Sequence, residues 1–147
     1  MRTCFASGLA LVMFLVSTAT GDDTAQKADL KAMVGKWTIV KAELGKTDIL
    51  ELLKALEFEI REDGKYTAKL GDEIDNGSFT VDPSKSPKEM DIKATGGPNK
   101  GKTIKALYKQ DGDTLTICYN LGGGDRPTAF ETKPDTKLYL AVYKLKK

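Results

Sequence analysis

The chain has no histidine. That removes the commonest general base, the commonest metal ligand and every Ser-His or Cys-His dyad. Cysteine is nearly absent as well, with only Cys4 and Cys118, so zinc sites built on Cys and His fail by count. Cys118 lacks the neighbour that usually activates a catalytic thiol. It reads instead as a small buried hydrophobe. Arginine is confined to Arg2, Arg61 and Arg126. A surface whose positive charge is almost all lysine serves solubility better than recognition of phosphate or carboxylate, for which arginine is the better tool. Charges of both signs are interspersed and the formal net charge is only +2, so there is no basic stripe for nucleic acid. No G-x-S-x-G nucleophile motif occurs. These absences argue against an enzyme, and no catalytic residue, metal or cofactor is expected.

One long apolar run is present, and it stands at the start: MRTCFASGLALVMFLVSTATG. Arg2 supplies a positive n-region, residues 5–16 are apolar, and Ala19 and Gly21 are small residues before Asp22. This is the layout of a secretory signal peptide covering residues 1–21. The run is short of the roughly 20 apolar residues that a permanent span needs. The expectation is export to the periplasm or beyond, with no stable membrane span after processing. Cys4 precedes the run and cannot be a lipid-carrying cysteine after the cut. Removing Arg2 lowers the formal charge from +2 to +1. Residues 22–147 then suit a single domain with a real core. Cys118 is left as a lone thiol, free or paired between chains, so no internal disulfide helps to hold the fold.

What fills that domain is alternation. LEFEIR (56–61) places Leu56, Phe58 and Ile60 on one face, and KYTAKL (65–70) does the same with Tyr66, Ala68 and Leu70. The segments 36–44, 77–82, 89–94, 103–110, 114–120 and 137–145 complete eight expected strands. Asp63-Gly64 and Asp111-Gly112 mark hairpin turns, while Gly71-Asp72 and Asn76-Gly77 compete for another. An eight-stranded up-and-down barrel with one or two short helices follows, since closing a meander removes its exposed edges. The helical segments are residues 29–34 and, more strongly, 47–56. In the second, Asp48 can cap and Ile49, Leu52 and Leu53 share a face.

Residues 96–103, GGPNKGKT, fit the string of a phosphate-binding P-loop. A P-loop needs a helix after it, because helix amides and dipole hold the phosphates. Here strand-like IKALYKQ follows, and Pro98 removes one amide. The stretch reads as a glycine-rich connection, and no nucleotide partner is expected. Asp111 and Asp113 lack the other ligands of a calcium loop. Asp82 and Asp91, as a hydrolytic acid pair, lack convergent polar partners. Asn76-Gly77-Ser78 fits a glycosylation acceptor but reads as a turn or strand edge.

The aromatics carry the functional question. Trp37, Phe58, Tyr66, Phe79, Tyr108, Tyr119 and Phe130 fall on or beside the strands. They are either ordinary core or the wall of a partly open barrel, with polar tips that orient a ligand. Lys102 and Arg126 are the cations available for an acidic head group.

Gly35-Lys36-Trp37, after a short helical turn and opening the first strand, resembles the G-x-W motif of lipocalins. In that family the Trp closes one end of the barrel against a basic side chain, a place that Arg126 could take here. The connection after the first strand resembles the lipocalin lid loop. The family's T-D-x-x-Y motif and the arginine beyond its last strand are absent. VGKWTIVKAEL, GSFTVDPSKSPKEMDI, GPNKGKTIKALYKQDGDTLTICY and RPTAF together resemble an uncharacterised secreted domain family, abundant in planctomycete bacteria and described as lipocalin-like. That resemblance spans about residues 30–146 and implies an exported bacterial barrel without catalytic residues.

Two functions follow. The first is an exported lipocalin-like binding protein for a small hydrophobic or amphipathic molecule, with residues 47–56 over the mouth; this needs a cavity of drug-like size. The second is a solid-core barrel acting as a structural or protein-interaction module, with a partner docking on its outer face or on the loops 96–103 and 120–127.

Overall fold

The computed structural model describes residues 21–147. The expected signal peptide therefore lies outside the described residues, except for Gly21, where the first helix begins. Helix α1 (Gly21–Met33) leads into β1 (Gly35–Leu44) and a two-residue β2 (Thr47–Asp48). A helical turn α2 (Leu50–Leu53) is followed by β3 (Glu57–Ile60), β4 (Lys65–Leu70), β5 (Glu73–Asp82), β6 (Glu89–Gly96), β7 (Thr103–Asp111), β8 (Thr114–Asn120) and β9 (Leu138–Leu145). From β3 onward each strand pairs antiparallel with the next. β1 pairs with β3 on one side and β9 on the other. The result is the expected eight-stranded up-and-down antiparallel barrel, lipocalin-like in form, with β2 as a short hairpin arm on β1. Among the described residues no helix is long and apolar enough to cross a membrane.

Alternation decides what faces inward, and one bulge corrects its phase. In β1, Trp37 and Ile39 are buried, but so is Ala42, which has the opposite parity. The register against β9 slips between Ile39 and Lys41. Val40 is left 42% exposed, and the strand bends as bulged strands do. That bend lets β1 serve both neighbours.

The two ends of the barrel differ. At one end α1 acts as a plug. Met33 is fully buried, and its carbonyl accepts a hydrogen bond from Trp37 Nε1 at 2.9 Å. Asp29 Oδ2 accepts from Tyr108 OH at 2.7 Å and pairs with Lys88 Nζ at 2.9 Å, while Gln110 donates to the Ala32 carbonyl. At the other end lie the connections 45–56, 71–72, 97–102 and 121–137.

Four details depart from the sequence reading. Helix α1 is longer than residues 29–34. The helix expected over 47–56 shrinks to four residues, because Gly45 and Lys46 at positive φ turn the chain back and commit Thr47 and Asp48 to pair with β1. Asp48 Oδ1 still accepts the Leu50 amide at 2.9 Å. Leu52 is 73% exposed rather than on the packed face, where Leu50 and Leu53 sit instead with Ile49 and Leu56. Gly71-Asp72 takes the turn, Gly71 at φ +61, so β5 begins at Glu73 and runs through Asn76-Gly77.

The 121–137 connection straps the outside of the sheet. Leu107, Cys118 and Leu140 form a small outer cluster with Phe130 over it. The Thr132 hydroxyl donates to the Glu43 carboxylate and accepts the Lys46 amide, tying the strap to β1. Cys118 is fully buried there as a free thiol, and burial pushes its pKa up. It is thus the inert hydrophobe its type suggests.

Gly77 marks a close approach. A methyl placed on it would lie 2.3 Å from the Lys93 carbonyl oxygen and 2.7 Å from Tyr66 Cε1. The Tyr66 ring therefore lies directly over the Gly77 backbone inside the barrel. Gly77→Ala is expected to destabilise the fold by about 1–3 kcal/mol, in the range of overpacked cores. Urea unfolding followed by circular dichroism checks this, and an unchanged midpoint would contradict the close approach.

Candidate functional site

The inward rows of an eight-stranded barrel leave room for side chains or for one small ligand. Near the plugged end Met33, Trp37, Tyr108 and Leu115 fill that room completely, each at most 2% exposed. Toward the other end they do not. A cavity of about 180 Å³ remains between β3, β4, β5, β6, β7, β8 and β9. Part of its wall is aliphatic: Ile60, Met90, Ile92, Ile104 and Ile117. Much of the rest is aromatic, made by Phe58, Tyr66, Phe79, Tyr119, Tyr139 and Tyr143. Leu56 from the lid, Leu121 from the strap, Asp75 from β5 and Asn99 from the 97–102 turn line the mouth.

The aromatic wall is ordered by its own contacts. Tyr119 and Tyr139, opposite each other on β8 and β9, stack with ring centroids 5.2 Å apart. Phe58 meets Tyr143 at 4.8 Å. The Tyr119 and Tyr143 hydroxyls share a hydrogen bond of 3.1 Å. Burial drives the hydroxyls of Tyr66, Tyr119, Tyr139 and Tyr143 well above the ordinary phenol range, so all four stay neutral. The wall offers hydrogen-bonding tips without charge.

Among the described residues Asp75 is the one charged side chain in the lining. Its Oδ1 faces Tyr66 OH at 3.4 Å and its Oδ2 faces Asn99 Nδ2 at 3.5 Å. Both contacts stand at the outer limit of hydrogen bonding. Burial raises the Asp75 pKa above the ordinary 3.8, against the smaller lowering effects of Asn99 and Tyr66. Desolvation is thus the dominant cause.

Of the residues singled out from sequence, Phe58, Tyr66, Phe79 and Tyr119 come together on the cavity wall. Trp37 and Tyr108 lie in the interior but at the plugged end, outside that wall. Phe130 is on the outer face, under Lys109 Nζ at 4.5 Å from its ring. Lys102 is exposed in the β6–β7 connection, and Arg126 is held on the outside of the sheet. Arg126 Nη1 donates to the carbonyls of Met90 and Ala106, each at 2.9 Å; Nη2 reaches Asp91 at 2.5 Å and Nε reaches Glu89 at 3.5 Å. It pins the strap to β6 and β7. It is neither the partner of Trp37, whose indole is satisfied by Met33, nor a mouth cation. Neither Lys102 nor Arg126 is in the cavity lining, so the acidic head group they suggested finds no cation on the described wall.

The segment GGPNKGKT is a turn between two antiparallel strands, with Gly97 and Gly101 at positive φ and no helix after it. Its contribution to the site is Asn99. Asp82 is occupied by the Ser84 amide and hydroxyl, Asp91 by Arg126 and Asp113 by Lys147. No family model, no curated protein and no solved structure significantly matches this chain.

Sequence reasoning missed Tyr139, Tyr143, Asp75 and Asn99. Tyr139 and Tyr143 share parity with Ala141, but KLYLAVYKL is apolar on both faces because Leu140 is buried outside by the strap. Asp75 shares parity with Gly77, Phe79 and Val81 and would have been legible had β5 been started at Glu73.

Two outcomes follow. Arg126→Lys keeps the charge but loses the planar fork. It should lower stability by about 1–3 kcal/mol, the worth of hydrogen bonds to a charged group, which denaturant unfolding will measure. Asp75→Asn should raise the melting temperature at neutral pH. The folded-state pKa of Asp75 lies above its unfolded value of 3.8, so the folded wild type gains stability as pH falls through that interval. The advantage of Asn should therefore shrink on acidification and level off below about pH 3.8. A pH series of melting curves on both proteins tests this, and an advantage that grows with acid would contradict it.

Proposed function

We propose that this is an exported lipocalin-like binding protein, not an enzyme, whose barrel takes one small and mostly apolar molecule through the mouth between lid, strap and the 97–102 turn. The observation that carries the reading is the unfilled upper half of the barrel. A core that has no occupant normally packs to the density of an organic crystal. Here apolar walls surround about 180 Å³, with a few polar tips gathered at one end, which is the pattern of a small-molecule site.

The volume falls below the drug-like size that this reading was expected to need, so the reading holds only for a smaller ligand. Sites for drug-sized molecules begin near about 300 Å³, whereas a cavity of about 150 Å³ accepts benzene. The ligand is therefore fragment-sized, or the short end of something longer that projects past Leu56 and Leu121. The solid-core interaction module is disfavoured by the same void. The signal-peptide pattern of residues 1–21 supports the exported setting, and the missing histidine together with the paired state of Asp82 and Asp91 supports a non-catalytic role.

Toluene is a suitable apolar probe. It should bind one to one and raise the melting temperature of the wild type, as any ligand of the folded state does. Ala68→Phe, which places a ring in the lining, should remove that shift while the protein still melts cooperatively. A wild type indifferent to saturating toluene would contradict the reading.

A further inference from the structure

The described cavity lining has a carboxylate and no cation, and the exposed lysines of the mouth turn, Lys100 and Lys102, stand outside it. Among the described lining residues there is no lysine or arginine, and Asp75 is the only one that carries charge near neutral pH. A carboxylate drawn partly out of water is costly unless hydrogen bonds or an opposite charge compensate. Asp75 receives little compensation from the protein, since its two contacts are 3.4 and 3.5 Å long and both come from neutral donors. Tyr66, which gives one of them, is held over Gly77 by close packing. Asn99, which gives the other, belongs to a surface turn. Neither oxygen has a short charge-assisted bond from a described residue.

The rings around Asp75 are themselves suited to one sign of charge. Aromatic faces attract cations through their quadrupoles. Tyr66 stands against Asp75, and Tyr119 lies near enough for the two to influence each other electrostatically. Tyr139 stacks on Tyr119. An anion brought to the same mouth would meet the Asp75 charge in a poorly screened setting.

We propose that the cavity takes a small organic cation, an ammonium group joined to a compact apolar body, with Asp75 as its counter-ion and the tyrosine rings as its wall. The apolar body goes toward Ile60, Met90 and Ile117, on the side of the plug, and the ammonium stays at the mouth. This rests on the barrel being a binding site, and it replaces the acidic head group that Lys102 and Arg126 suggested.

Three probes of one shape separate the claims: benzylamine, benzyl alcohol and benzoate, titrated calorimetrically at pH 7 into wild type and Asp75→Asn. The expected result is benzylamine binding about tenfold or more tighter than benzyl alcohol, the gain of one hydrogen bond between charged groups, with benzoate weakest. Asp75→Asn should bring benzylamine to within about twofold of benzyl alcohol. Benzyl alcohol or benzoate matching benzylamine on the wild type would overturn the cation and leave the binding site standing, and this comparison needs no variant to fold. Undiminished benzylamine binding to a folded Asp75→Asn would overturn the role of Asp75. Failure of all three probes, with no toluene shift, would overturn both the cation and the binding site.

Discussion

The pairing of β1 with β9, from Trp37 opposite Leu145 to Leu44 opposite Tyr139, turns a meander into a closed wall. Without it β1 and β9 would be edges, each with a row of unpaired amides and carbonyls. With it the radius is set by strand number, and the interior becomes a fixed volume that side chains must fill or leave. The closure depends in turn on the bulge at Val40, which rotates β1 so that Trp37, Ile39 and Ala42 can all face inward. The strap reinforces the same seam from outside, with Thr132 bound to Glu43 on β1 and Phe130 over the β7, β8 and β9 side chains.

A fixed interior explains why the two ends behave differently. The plugged end receives α1, an indole and the Tyr108 ring, and its polar atoms find partners in Met33 and Asp29. Among the described residues the other end is covered only by a four-residue helical turn and by loops, and none of them sends a large side chain inside to fill it. Ala68 and Asp75 are short, and Gly77 is occupied by Tyr66. The tyrosine stack stands rigid around the space instead of collapsing into it, because Tyr119, Tyr139 and Tyr143 hold one another by stacking and hydroxyl contacts. The cavity is therefore a consequence of barrel geometry and of where the long side chains were placed.

Much of the wall was legible in the sequence. The parity of Phe58, Tyr66, Phe79 and Tyr119 follows directly from polar and apolar alternation, and all four line the cavity. Alternation fails where a strand is covered on both faces. KLYLAVYKL hides Tyr139 and Tyr143 for that reason, and only the strap, a tertiary feature, makes its outer side apolar. Phe130 misled in the opposite way, as an aromatic buried outside the barrel. Arg126 misled because a lone arginine near a predicted mouth looks like a ligand group, whereas here its fork satisfies two main-chain carbonyls. Asn99 belongs to a turn, where no periodicity exists to show which way a side chain is placed. The weak contacts of Asp75 depend on distances that spacing alone does not carry.

The central claim is that the upper barrel holds a small molecule. Native mass spectrometry of the protein purified from its own cells, compared with its denatured mass, tests this most directly. The account predicts one small additional mass per chain that leaves on denaturation and that carries an ionisable nitrogen. A bare polypeptide mass, unchanged after incubation with the small-molecule extract of the same cells, would contradict it.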